Sequence, residues 1–124
     1  MKLVIAADHA GQALKAEVIS HLTNKGHGVR DLGPSGTAKV DYPDVVGPVC
    51  KATLNGEAEL GVLVCGSGTG VAISANKVKG VRAANCVNEW QARFAREHNN
   101  ANVLCLGERV VGAGLAAGIV DAFL

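Results

Sequence analysis

Cys65 begins the run Cys65-Gly-Ser-Gly-Thr-Gly70, a thiol followed by three glycines at alternate positions. Glycines at 66, 68 and 70 let backbone N–H groups approach a ligand with no Cβ in the way. A helix starting there adds the positive end of its dipole. The run therefore reads as an anion-binding active-site turn with a thiol at its mouth. Such surroundings favour a thiolate, which makes the sulfur usable as a base or a nucleophile. The same N–H groups can stabilise an enediolate or alkoxide oxygen. The alternative is a tight strand–helix turn that holds no ligand.

Three better-known loops are excluded by counting. A dinucleotide fingerprint starting at Gly66 or Gly68 needs its last glycine at 71 or 73, where the chain has Val71 and Ile73. A P-loop needs Gly-Lys-Ser/Thr, which is absent. A cysteine phosphatase loop needs arginine at 71, and Val71 removes it.

Other polar groups fall at or just past the ends of apolar runs: Asp8-His9, Asn85 and Arg109. A His/Asp neighbour pair is common by chance, so Asp8 and His9 are candidates on position alone. Arg109 is either a solvated surface charge or a phosphate ligand. His98 is followed by Asn99, Asn100 and Asn102, which could also be a helix C-cap cluster, because asparagine tolerates the left-handed conformation.

These groups need elements to carry them. Leu3–Ala7, Gly28–Leu32, Leu60–Val64, Val81–Ala84 and Val103–Leu106 read as short strands. Helical patterns alternate with them. Residues 11–24 carry Leu14, Val18 and Leu22 on one face, and Pro43 suits the first turn of a helix reaching Leu54. Residues 68–77 follow the glycine turn as a helix. Asn88 with Gln91 resembles a capping box for the helix holding Trp90, Ala92, Phe94 and Ala95. Residues 110–124 close the chain with Leu115, Ile119 and Phe123 on one face. Residues 33–42 are a polar loop.

Continuously apolar strands separated by helices imply an α/β fold with a parallel sheet covered on both faces. Ligands of such sheets bind beyond the carboxyl ends of the strands. A chain of 124 residues fits a single domain, 1–124. A net charge of +1 and 3% aromatic content argue against nucleic acid as a partner. No apolar run is long enough for a membrane span, and residues 2–7 are too short for a signal segment, so a cytoplasmic location is expected. The four cysteines, 50, 65, 86 and 105, show neither zinc spacing nor a disulfide framework, and three read as small buried hydrophobes.

Seven motifs occur in order: Asp8-His9-Ala-Gly, Asp41-Tyr42-Pro43, Cys65-Gly-Ser-Gly-Thr-Gly70, Ala75-Asn76-Lys77, Gly80-Val-Arg82-Ala83, His98-Asn99-Asn100-Ala-Asn102-Val and Gly107-Glu-Arg109-Val-Val-Gly112. Together they resemble the ribose-5-phosphate isomerase B family, which also includes the galactose-6-phosphate isomerase subunits. The resemblance covers the whole chain. It implies a Rossmann-like three-layer sandwich with a five-stranded parallel sheet. It also implies a homodimer or dimer of dimers with active sites shared across the interface, and neither metal nor cofactor. The chemistry implied is aldose–ketose interconversion of sugar phosphates through a cis-enediol, within the pentose phosphate pathway.

Carried over by position, Cys65 would be the base that moves a proton between C1 and C2. Ser67, where the family usually has threonine, would assist ring opening with His98. Asp8 would handle hydroxyl protons or orient the sugar. His9 and Arg109 would hold the phosphate, and Tyr42 and Asn99 would contact substrate. Backbone N–H groups of Gly66, Ser67, Gly68, Thr69 and Gly70 would stabilise the enediolate. His98, Asn99 and Arg109 are expected from the subunit opposite Cys65. Family members commonly continue into an arginine-bearing tail beyond the last helix. This sequence ends at Leu124, so the phosphate is expected to rest on His9 and Arg109, helped by the loop and Lys77. The leading expectation is ribose 5-phosphate, with His98-Asn99 favouring it over the galactose branch. The alternatives are another tetrose or hexose phosphate, or a catalytically weak sugar-phosphate-binding paralogue.

Overall fold

A computed structural model describes residues 1–34 and 42–124, the side chains of Tyr42 and Pro43 excepted. Five strands alternate with five helices: β1 (Lys2–Ala7), α1 (Gln12–Asn24), β2 (Gly28–Asp31), α2 (Tyr42–Leu54), β3 (Leu60–Cys65), α3 (Thr69–Asn76), β4 (Ala83–Asn85), α4 (Glu89–Asn99), β5 (Val103–Gly107) and α5 (Ala113–Phe123). All strand pairings are parallel, in the order β2-β1-β3-β5-β4. The expected three-layer α/β sandwich is therefore present.

The alternating faces of β3 explain the layers. Leu60, Val62 and Val64 join a core with α1, α4 and α5, while Leu63 and Cys65 join a second core with α2 and α3. Every residue of β3 is buried, as a central parallel strand requires. Burying each of its branched side chains contributes roughly 1.5–3 kcal/mol. In α1, Leu14, Val18 and Leu22 face the sheet as the spacing predicts.

Two local readings change. The last helix begins at Ala113, not 110, with Gly112 as its N-cap, because residues 107–111 make a turn in which the Val110 and Val111 N–H groups bond Gly107 O. Its buried face is Ala116, Ile119, Val120 and Phe123, whereas Leu115 stands exposed. The fourth strand is shifted to Ala83–Asn85, since Asn102 Oδ1 and Nδ2 tie the backbone of Arg82 and Gly80 into a turn.

Candidate active site

The sheet order sets the site. The chain steps from β1 outward to β2 and then returns to β3 on the other side, which leaves a crevice at the carboxyl ends of β1 and β3. On the far side of β3 lies β5, with Cys65 in register with Gly107. Glu108 N donates to Cys65 O at 2.8 Å and Arg109 N to Gly66 O at 3.0 Å. The last turn of β5 is thus tied to the catalytic candidate. A Cβ on Gly107 would collide with the Ser67 backbone, so glycine is what lets the two turns touch.

Within the glycine turn, Gly68 adopts the left-handed conformation (φ 81°) and caps α3. Its N–H points back at Cys65 Sγ, 3.1 Å away. Thr69 N donates to Ser67 Oγ at 3.1 Å, which leaves the Ser67 O–H a proton to donate outward. Two of the five amides expected to face a ligand therefore bond the turn's own side chains.

A cleft of about 380 Å³ opens above this turn, lined by Asp8, His9, Cys65, Ser67, Gly70 and Arg109 among others. Asp8 is buried and directs Oδ1 to Ala10 N at 2.9 Å, which fixes its carboxylate at the end of β1. His9 and Arg109 are exposed at the rim. The Arg109 Nη1 lies 3.6 Å from where a Gly66 Cβ would stand, so its guanidinium overhangs the turn. Arg109 thus accompanies Cys65 in the same chain. The expectation that it enters from the opposite subunit is corrected, and the reason is the β3–β5 pairing.

His98 and Asn99 do not line this cleft. They line a separate groove of about 600 Å³ beside α4, with Trp90, Phe94 and Asn85. Phe94 lies between Trp90 and His98, tilted against the indole at a centroid distance of 4.5 Å and stacked on the imidazole at 4.8 Å. Asn100 ends α4 in the left-handed conformation (φ 51°). The asparagine run therefore divides: Asn100 caps, Asn102 staples a turn, and Asn99 faces the groove. Tyr42 begins α2, but its side chain lies outside the described residues.

Cys65 differs from the other thiols by the donor it meets. Burial pushes the Cys86 thiol up to about 11 and raises Cys105 and Cys50 as well, so these three stay protonated packing groups. Two supporting residues escaped the sequence reading. Glu108 Oε1 accepts from Leu14 N at 2.8 Å, so it caps α1 and anchors the residue before Arg109. Lys15 is buried and donates to Asp31 Oδ1 at 3.0 Å and Pro34 O at 3.2 Å. Its spacing with Val18 and Leu22 on the inner face of α1 was the available signal.

The family model described as Ribose/Galactose Isomerase matches residues 3–124. The chain is 43% identical over 123 residues to ribose-5-phosphate isomerase B of Escherichia coli K12, covering 99% of this chain and 83% of that protein. It superposes with a TM-score of 0.97 on Clostridium thermocellum ribose-5-phosphate isomerase B, at 50% identity, covering 99% and 83% of the two chains. A Mycoplasma genitalium ribose-5-phosphate isomerase B, solved with bound ribulose 5-phosphate, matches with a TM-score of 0.91 and 48% identity, covering 98% and 82%.

Proposed function

Because this chain belongs to the ribose/galactose isomerase family, we propose that it interconverts ribose 5-phosphate and ribulose 5-phosphate, with Cys65 as the base. The observation that carries this reading is the cleft that gathers Asp8, His9, Ser67 and Arg109 around the one thiol bonded by a turn amide. Proton abstraction beside a carbonyl needs a base within reach and donors for the developing oxyanion.

In the open-chain aldose, Cys65 takes the C2 proton as thiolate, and the electron pair forms the C1–C2 double bond. The carbonyl oxygen gains a proton, giving the cis-enediol. Loss of the O2 proton and return of the carbon-bound proton to C1 yield the ketose. Asp8 and the Ser67 hydroxyl handle oxygen-bound protons, and the N–H groups of Gly66 and Gly70 face the oxyanion. The cationic rim of His9 and Arg109 takes the phosphate.

His98 and Asn99 belong to the α4 groove in this chain. In our reading a second copy brings them over Cys65, where His98 joins Ser67 in opening the furanose. The enzyme is then a homodimer, or a dimer of dimers, with shared sites. All four cysteines are free thiols, which suits a reducing cytoplasm. Among the described residues no helix is long and apolar enough to cross a membrane.

The test is an isomerisation assay across pentose, tetrose and hexose phosphates with wild type and Cys65→Ala. Turnover is expected on ribose 5-phosphate and is abolished by the substitution, while circular dichroism shows an intact fold. Full retention of activity rules out Cys65 as the base. Preference for a tetrose or hexose phosphate assigns the other substrate.

A further inference from the structure

Asn85 ends β4, where it is in register with Cys105 of β5, and its side chain reaches the glycine turn on the other side of β5. Its Nδ2 faces two oxygens of that turn, Thr69 Oγ1 at 3.3 Å and Ser67 O at 3.5 Å. The opposite end of the amide, Oδ1, is buried and meets no hydrogen-bond donor among the described residues. A buried acceptor without a donor is a cost that folded proteins rarely keep without a reason. Turning the amide round would let Oδ1 accept from the Thr69 hydroxyl but would set it against the Ser67 carbonyl oxygen, where Nδ2 now donates.

The geometry around Gly68 supplies the reason. A Cβ on Gly68 would collide with Asn85 Oδ1, so the asparagine fills the space that the left-handed glycine leaves open. Gly68 is also the residue whose N–H donates to Cys65 Sγ. Asn85 therefore holds the turn from behind at three successive residues: the Ser67 carbonyl, the Gly68 Cα and the Thr69 hydroxyl. The same side chain forms part of the wall of the α4 groove that holds His98.

We propose that Asn85 is a positioning residue for proton transfer, bracing the glycine turn so that the Gly68 N–H stays aimed at the Cys65 sulfur. The proposal rests on the reading of Cys65 as base. Asn85 acts through Gly68 rather than on the substrate. An N–H held on the sulfur stabilises the thiolate over the thiol and fixes the direction in which the sulfur meets C1 and C2. A side chain that only fills space would add stability and leave the chemical step alone.

The full-length protein with Asn85→Ala or Asn85→Asp tests this, assayed on ribose 5-phosphate beside wild type and Cys65→Ala. The aspartate is isosteric and keeps the packing, but it replaces the donor facing Ser67 O with an acceptor. Both variants are expected to lose about tenfold or more in kcat with KM within about threefold. The acid limb of their kcat/KM profile moves to higher pH, since a sulfur without its donor favours the thiol. Wild-type kcat and an unmoved acid limb in either folded variant overturn the proposal, whatever happens to Tm. A loss confined to KM overturns it too, because that would make Asn85 a substrate ligand. If Cys65→Ala retains turnover, the base assignment fails instead, and the two failures are told apart in one experiment.

Discussion

One thiol among four is set apart by its surroundings. Cys50, Cys86 and Cys105 are raised by burial and held neutral. Cys65 is buried as well, and among the described residues its sulfur alone of the four meets a backbone amide, Gly68 N at 3.1 Å. Residue type alone does not separate these four cysteines; the glycine pattern after Cys65 does. Arg109 is the other decisive residue, since its guanidinium overhangs the turn from the neighbouring strand. In steady-state assays Arg109→Ala is expected to raise KM by about tenfold to a hundredfold, the value of one charged hydrogen bond, with kcat changed much less. An unchanged KM would remove Arg109 from the phosphate site.

At the scale of elements, the site depends on turns that adjacent strands hold in place. β3 ends in the glycine turn, β5 ends against it, and Glu108 fastens that end to the start of α1. The helices of the same layer are tied as well: Asp121 of α5 accepts from Lys25 at 2.8 Å and pairs with His21 of α1 at 2.9 Å. Burial pushes the Asp121 carboxyl up, but the hydrogen bonds from Lys25 and His21 outweigh it and hold it below the usual carboxylate range. A carboxyl lowered on folding stabilises the native state above its unfolded value of about 3.9, and that contribution is lost as pH falls through the lower folded value. The pair is partly exposed, so solvent screening limits its worth. Asp121→Asn is therefore expected to cost about 0.5–1 kcal/mol at pH 7. Urea denaturation of both proteins should show the gap closing below about pH 4. A gap equally wide at pH 3 would show that the tie between α1 and α5 is not electrostatic.

For the whole molecule, the division between the Cys65 cleft and the His98 groove has a direct consequence. If one copy's groove completes another's cleft, light scattering gives at least twice the 12.6 kDa chain mass. Cys65→Ala and His98→Ala are then each inactive alone, yet recover activity when unfolded and refolded together. Half of the resulting dimers are mixed and each carries one intact site, so roughly a quarter of wild-type activity is expected. No recovery in a mixture shown to exchange subunits would place both residues in one chain's site.

Local pattern carried much of this protein. The apolar runs marked five strands, the 3.6-residue spacing marked Leu14, Val18 and Leu22 as buried, and Asn88 capped α4 through Gln91 N as its type and position predict. The glycine turn was legible for the same reason: backbone conformation there follows from the residues themselves. What the tertiary structure alone decided was adjacency. Nothing in the spacing says that β5 lies between β3 and β4, and that order puts Arg109 beside Cys65 while His98 stays with α4. It also explains why Asn85, only a polar residue at a strand end in the sequence, stands behind the turn that holds the thiol. Periodicity records which face a residue buries; strand order depends on how whole faces fit, and that is a property of the folded chain.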